Sequence, residues 1–394
     1  MDIEIIEKKL NIIPSGYVGS KKQKISWMHK CLKNEGINLR DLCVFDAFSG
    51  TGSFSYYSKL SGARDIIAND FLISSALYVK TFVENPGITL SEDEINYLIY
   101  NKNNRKTPFV QENYAGKDNY FHKKEAVFLD NYRANIDDLF EKKGKLSECL
   151  LDKFVASSIN FHKDKILKFG YKQAAALTAI MSMISSWFGG GAGKFSSPSY
   201  NSRKIFTISR KRAKRKDRPF IGKELVLDYL KYSRSSLNKI TKCIESSTSN
   251  AIVLNADTLI LLQDSIFARF PIDIIYVDLP YGGEHSDYFK LYGLIESYVL
   301  RKPTMQLHYL NDANYFNSRK NYEIAFVRLL GLIKTRKINK WVFSFNNSSW
   351  ESKNKIVHIL KDFSKKIKIY QSEHCYRYRK EENRKGNEYL IICN

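Results

Sequence analysis

Ile274-Ile-Tyr-Val-Asp-Leu-Pro-Tyr-Gly-Gly283 reads as a strand that stops abruptly in an acid, a proline, an aromatic and two glycines. Ile274, Ile275, Tyr276 and Val277 are uncharged β-formers, the pattern of a strand covered on both faces. Asp278 then falls at the strand's carboxyl end, the edge where open α/β sheets bind ligands. Pro280 has no N–H to give a ladder and ends it. Tyr281 and the glycine pair put a ring on a turn that another molecule can approach closely. An acid, an exposed carbonyl and an aromatic face on one tight turn suit a flat, amine-bearing ring. The acid and the carbonyl accept the amine hydrogens, and the ring stacks. The plainer reading is a strand followed by an ordinary turn, since Asp and Pro are common turn residues.

Working outward, other apolar runs end in the same kind of residue. Cys43-Val-Phe-Asp-Ala-Phe48 leads into Ser49-Gly-Thr-Gly-Ser53 and a helical pattern over 54–60. Strand, glycine turn and helix open a nucleotide-type α/β fold, in which Gly50 and Gly52 let backbone approach a ligand. The run lacks the third glycine of a dinucleotide fingerprint and the Gly-Lys-Ser/Thr of a phosphate loop, so neither ligand is favoured. Asp65-Ile-Ile-Ala-Asn-Asp70 is the next strand. Its last acid stands where such folds place a ribose-binding carboxylate; the alternative is an N-cap for a helix over 71–81. Ala251-Ile-Val-Leu-Asn-Ala-Asp257 ends in Asn255 and Asp257, or else Asp257 caps a helix over 258–263.

The chain has 394 residues, with 63 Lys+Arg against 41 Asp+Glu and a net charge of +22. That surplus points to a polyanionic partner, nucleic acid first. An apolar content of 43% is enough for a large core. Cys31, Cys43, Cys149, Cys243, Cys375 and Cys393 are scattered, without disulfide-framework or zinc spacing, as in a reducing compartment. Neither a signal-peptide core nor a membrane-length apolar run is visible, so a cytoplasmic protein with no membrane role is expected.

Between the flanks the pattern changes. Residues 84–135 are mixed and polar, and helices are predicted over 120–140, 146–161, 173–187 and 223–242. Phe188-Gly-Gly-Gly-Ala-Gly-Lys194 makes a glycine loop. It leads into a basic stretch with interleaved aromatics that includes Lys194, Arg203, Lys204, Arg210, Lys211, Arg212 and Arg215. Such side chains neutralise phosphates and stack on bases, and nucleic-acid contact is expected here ahead of a merely solvated loop. Farther on, a strand is predicted at 340–346, and two final strands around the basic turn 376–385 pair antiparallel.

Taken together, these motifs resemble the D12-class, Dam-type N6-adenine-specific DNA methyltransferases. The residues that carry the resemblance are Tyr17-Val-Gly-Ser-Lys21, Phe45-Asp-Ala-Phe-Ser-Gly-Thr-Gly-Ser53, Asn69-Asp70 and Asp273-Ile-Ile-Tyr-Val-Asp-Leu-Pro-Tyr281. The likeness covers roughly 14–75 and 251–394 and is vague between. It implies an α/β fold: a Rossmann-like S-adenosylmethionine-dependent methyltransferase sheet with a largely helical inserted recognition domain. Residues 1–84 and 251–394 would form the catalytic domain, and 85–250 the basic target-recognition insertion.

The resemblance also implies S-adenosyl-L-methionine as methyl donor, with no metal. Asp46, Phe48, Gly50 and Gly52 would lie against it, Asp70 would bind its ribose hydroxyls and Asp257 its adenine amine. Tyr17 and Lys21 would help close the pocket. Asp278 and the Leu279 carbonyl would accept the N6 hydrogens of a flipped-out adenine, with Pro280 holding the turn and Tyr281 stacking on the base. The family usually has proline where this chain has Leu279; the carbonyl survives and the stiffness is lost. Duplex DNA is the expected partner, with a cognate restriction or defence nuclease beside it, and a monomer is expected. RNA adenine is the alternative substrate. A nucleic-acid-binding protein with an impaired methyltransferase core is the alternative from another class.

Overall fold

The computed structural model describes residues 3–13, 20–103, 108–115, 121, 123–140, 169–188, 225–265, 267–280, 288–307, 316, 318–347, 349–378 and 382–394. Helix α1 (Ile3–Ile12) and a 3-10 turn (Lys21–Lys24) precede α2 (Ile25–Asn34), β1 (Cys43–Asp46), α3 (Ser53–Leu60), β2 (Asp65–Asn69) and α4 (Ile73–Val79). A π-helical turn, Lys80–Glu84, continues α4. Next come α5 (Glu92–Tyr100), α6 (Phe109–Tyr114), α7 (Lys123–Phe140), α8 (Tyr171–Phe188) and α9 (Leu225–Cys243). Strand and helix then alternate again through β3 (Asn250–Leu254), α10 (Thr258–Gln263), β4 (Ile274–Asp278), α11 (Tyr288–Leu300), α12 (Arg319–Thr335), β5 (Lys340–Asn346) and α13 (Lys353–Lys361). The chain closes with the hairpin β6 (Ile367–Tyr378) and β7 (Glu382–Cys393).

All these strands join one 7-stranded sheet in the order β3-β2-β1-β4-β5-β7-β6. The first five in that order run parallel. β7 is antiparallel to both β5 and β6. The order reverses between β1 and β4, which makes a crevice at their carboxyl ends. This is a Rossmann-like sheet extended by an antiparallel pair.

The apolar runs are continuous because both faces are covered. Val44, Ile66, Ile274, Tyr276, Val342, Leu390 and Ile392 join one core with residues of α1 to α9 and α11. Phe45, Ile67, Ile275, Val277, Phe343 and Ile391 point the other way, into a core closed by α10, α12 and α13. This is the period-2 alternation of a strand buried on both sides. On the first face the Phe54 and Tyr276 rings stack at 3.9 Å, fixing α3 against β4. The regular elements described between residues 85 and 249 are helices, and their apolar faces share the first core with the sheet.

Edge strand β3 has a ladder partner on one side only. Its outward Val253 N–H donates to Glu84 Oε2 at 2.8 Å. The other Glu84 oxygen accepts from Lys80 Nζ at 2.5 Å, and both side chains are buried. The exposed ladder of a sheet edge is thereby closed by an ion pair from the helix that covers it.

Two local features differ from the sequence reading. The mixed polar stretch contains α5, whose capping box joins Ser91 and Glu94 in both directions. Asp70 is not an N-cap: α4 begins three residues later, at Ile73, with Leu72 in that place. Instead, Asp70 Oδ1 accepts from the Leu72 N–H at 2.9 Å. The helix predicted over 146–161 and the glycine-rich loop and basic stretch of 189–220 lie outside the described residues.

Glu84→Ala leaves the Lys80 ammonium and the Val253 N–H buried without their acceptor. A loss of about 3–5 kcal/mol in urea-unfolding stability is expected, the scale of a broken buried pair. A loss under about 1 kcal/mol would show that the β3 edge does not depend on this residue.

Candidate active site

Four acids meet at the carboxyl edge near the order reversal. Asp46 ends β1, Asp70 follows β2, Asp278 ends β4, and Glu388 lies on β7 opposite Asn346 of β5. By strand alternation Asp46, Asp278 and Glu388 share the face that the N-terminal helices cover. Lys21, from the turn before α2, reaches Asp278 and Glu388. Its Nζ lies 3.1 Å from Asp278 Oδ2 and 4.0 Å from Glu388 Oε2. Lys21 is 5% exposed, and so is Glu388.

Asp46 is fully buried. Its Oδ2 accepts from Ser55 Oγ of α3 at 2.5 Å. Its Oδ1 has no hydrogen-bond partner among the described residues. Burial raises its carboxyl to about 7 against the pull of Ser55, and the charges of Asp278 and Asp70 add to the rise. Asp70 is also raised to about 7 by burial, although the Leu72 and Gly50 N–H groups favour its ionised form. Asp278 reaches about 7 for the same first reason, drawn back by Lys21 and pushed up by Glu388. Three carboxyls raised by burial, with the Lys21 ammonium against Asp278, form a site that favours incoming positive charge and hydrogen-bond donors.

The glycine turn is built as its spacing suggests. Gly50 and Gly52 have φ of +52° and +77°. The Gly50 N–H donates to Asp70 Oδ2 at 2.8 Å, so the acid braces the loop. A Cβ on Gly52 would lie 3.1 Å from Val79 Cγ2 of α4, which only glycine avoids at this backbone angle. Phe48 packs edge-on against Phe316 at 5.5 Å and walls the crevice on the other face.

Buried amides hold the edge loops in place. Asn69 Nδ2 donates to Ala256 O at 3.1 Å and Thr258 Oγ1 at 3.0 Å, and its Oδ1 accepts from the Ala256 N–H at 3.1 Å. Thr258 Oγ1 donates to Ala47 O at 2.7 Å. Asn255 Nδ2 reaches Asp70 O and Phe71 O, each at 2.8 Å. The loops after β1, β2 and β3 are thus one hydrogen-bonded unit.

The structure brings together Lys21, Asp46, Gly50, Gly52, Asp70 and Asp278, with Leu279 buried beside Asp278. Pro280 follows, half-buried. Asp257 serves as the cap of α10: its Oδ1 accepts from Leu259 N at 2.8 Å and Ile260 N at 3.1 Å. Tyr17, Tyr281 and the seven basic residues Lys194, Arg203, Lys204, Arg210, Lys211, Arg212 and Arg215 lie outside the described residues. Sequence reading missed Glu388, Asn346, Ser55 and the amide staples. For Glu388 a signal existed: it is the acid that opens the apolar run Glu388-Tyr-Leu-Ile-Ile-Cys393. Among the described residues no cluster of three or more His, Cys, Asp or Glu is arranged to hold a metal. No described helix is long and apolar enough to cross a membrane.

Comparison with known proteins agrees with this geometry. Residues 17–169 match the model of the D12 class N6 adenine-specific DNA methyltransferases. Over 381 residues the chain is 25% identical to the Type II methyltransferase M2.HphI of Haemophilus parahaemolyticus, spanning 95% of this chain and 96% of that protein. The similarity to that relative therefore runs through the helical middle as well as the flanks.

Lys21 holds Asp278 towards its ionised form. Lys21→Met is expected to move the Asp278 titration upward from about 7. The carboxyl-carbon NMR signal of labelled aspartate, assigned with Asp278→Asn, measures it; no upward movement would show that the ion pair does not form in solution.

Proposed function

We propose that this chain, a D12-class N6 adenine-specific DNA methyltransferase, uses the Asp278 turn to methylate the N6 amine of an adenine flipped out of duplex DNA, with S-adenosyl-L-methionine as donor. The observation that carries the residue assignment is the position of Asp278. A half-buried carboxyl and the adjoining Leu279 stand at the switch point of the sheet, beside the glycine turn braced by Asp70.

The residues present fit the donor. Asp46 has a wholly buried, unpartnered carboxylate oxygen. Asp70 holds the turn while keeping lone pairs for two adjacent hydroxyls, and Gly50 and Gly52 supply the positive-φ backbone that the turn requires. Asp46, Phe48, Gly50, Gly52 and Asp70 would hold it, with Tyr17 and Asp257 at its margins. When bound, S-adenosyl-L-methionine supplies a methyl group already activated by a sulfonium.

The protein's own part is acceptor chemistry and orientation. An adenine N6 lone pair is delocalised into the ring and is a weak nucleophile. Asp278 and the Leu279 carbonyl accept the two N6 hydrogens. That favours a pyramidal nitrogen with its lone pair directed at the methyl, and stabilises the positive charge that grows as the new bond forms. The surplus N6 proton then leaves through the Asp278 carboxylate to water. Tyr281 stacks on the base, and Pro280 stops the strand so that the carbonyl faces the crevice. The stretch from Lys194 to Arg215 supplies phosphate contacts. As the relative is a Type II methyltransferase, pairing with a restriction nuclease is the biological setting proposed for this chain.

Methyl transfer from labelled S-adenosyl-L-methionine to duplex DNA tests this reading, with RNA in parallel. Label recovered as N6-methyladenine in DNA, reduced at least about 100-fold by Asp278→Ala with the donor still bound, is expected. Label on RNA alone would favour the RNA reading; none on either polymer would overturn both. The rate is expected to rise with pH through about 7, because the acceptor form of Asp278 is the ionised one. Leu279→Pro keeps the carbonyl and stiffens the turn, so its turnover is expected within about threefold of the native chain; a larger gain would show the native turn to be impaired.

A further inference from the structure

We infer that Glu388 is a positioning residue that takes up the Lys21 ammonium when Asp278 turns to the target amine. The inference rests on the methyl-transfer reading of the Asp278 turn. In the structure Lys21 Nζ sits 3.1 Å from Asp278 Oδ2, one of the two carboxylate oxygens that can accept from the incoming amine. A charge-assisted hydrogen bond there competes with the amine for the same lone pairs. A buried ammonium is not released at no cost, because moving it away from a carboxylate leaves its charge poorly compensated out of water.

Glu388 removes that obstacle. Its Oε2 lies 4.0 Å from the same Nζ, on the side away from Asp278's strand neighbour β1. A movement of about 1 Å brings the ammonium to hydrogen-bond distance of it. A lysine suits such a hand-off, as a point charge with three donors on a flexible stem. The acid is held rigidly, because β7 is paired on both sides and Glu388 faces Asn346 across the ladder. Its charge also acts on Asp278 directly and raises it, as part of a field that includes Lys21, Asp46 from β1, Tyr276 from β4 and Tyr322 from α12. Glu388 therefore keeps the Lys21 side chain close while Asp278 accepts from the amine.

The test compares Glu388→Gln and Glu388→Asp with the wild-type full chain by two readouts. In Glu388→Gln the Asp278 carboxyl-carbon titration is expected at lower pH, since the opposing charge is gone. The acid limb of kcat follows it downward. The plateau of kcat falls roughly tenfold, with KM for DNA and donor within about twofold, because the ammonium stays on Asp278. Glu388→Asp, which keeps the charge, is expected to restore both the titration and most of kcat. An unmoved Asp278 titration in Glu388→Gln overturns the inference, as does an unchanged kcat. Equal losses in both variants with a lowered melting temperature also overturn it, assigning Glu388 to packing. A wild-type chain that methylates neither polymer would overturn the proposed function, while the carboxyl titration would still decide the charge link on its own.

Discussion

Parallel pairing of β1 with β4, in which Val44 faces Ile274 and Asp46 faces Tyr276, sets the geometry on which the rest of the site depends. Two neighbouring parallel strands end on the same edge, and with β2 and β5 flanking them their crossovers leave in opposite directions. The gap that remains is the crevice. Every loop that reaches it starts from a strand whose other residues are locked in two cores. The acids at the strand ends therefore inherit the rigidity of the sheet. The stack of Phe54 on Tyr276 and the amide staples from Asn69 and Asn255 extend that rigidity one residue beyond the ladder, into the loops themselves.

The same arrangement explains the electrostatics. Strands end close together, so their terminal carboxyls are both buried and mutually repelling. Asp46, Asp70 and Asp278 all rise to about 7, and burial is the leading cause at each. Such a cluster is unfavourable for folding by itself and is suited to a cationic donor and a hydrogen-bearing amine. Lys21 supplies one positive charge from the polypeptide and links the N-terminal segment to the catalytic turn. Stability is given up locally where the chemistry needs charge.

How much of this was legible depended on how local each signal was. The run from Ile274 to Asp278 and the turn at Gly50 and Gly52 announced themselves, because burial on two faces demands unbroken apolar residues and a positive φ demands glycine. Helix α5 went unread within a polar stretch, although Ser91 and Glu94 carry a capping-box pattern; its apolar positions are too few for periodicity to stand out. Asp70 and Asp257 each had two readings, ligand group or helix cap. The structure gives Asp257 the cap and gives Asp70 a brace on the glycine turn. Glu388 was passed over for a directional reason. A rule that inspects the last residue of each strand finds the carboxyl edge only for parallel strands. In antiparallel β7 that edge falls at Glu388, opposite Asn346, in the middle of the twelve-residue strand.

The sequence by itself determined the alternation of strand and helix on both flanks, the glycine turn, the acid-ended strands and the family likeness, because each is written in contiguous residues whose local physics allows few other outcomes. Tertiary structure alone decided which acids meet and which cation joins them. Lys21 and Asp278 are separated by most of the chain, and Glu388 lies beyond another hundred residues. Their approach is set by strand order and by the reversed direction of β7, properties of the folded sheet that no single stretch of sequence contains.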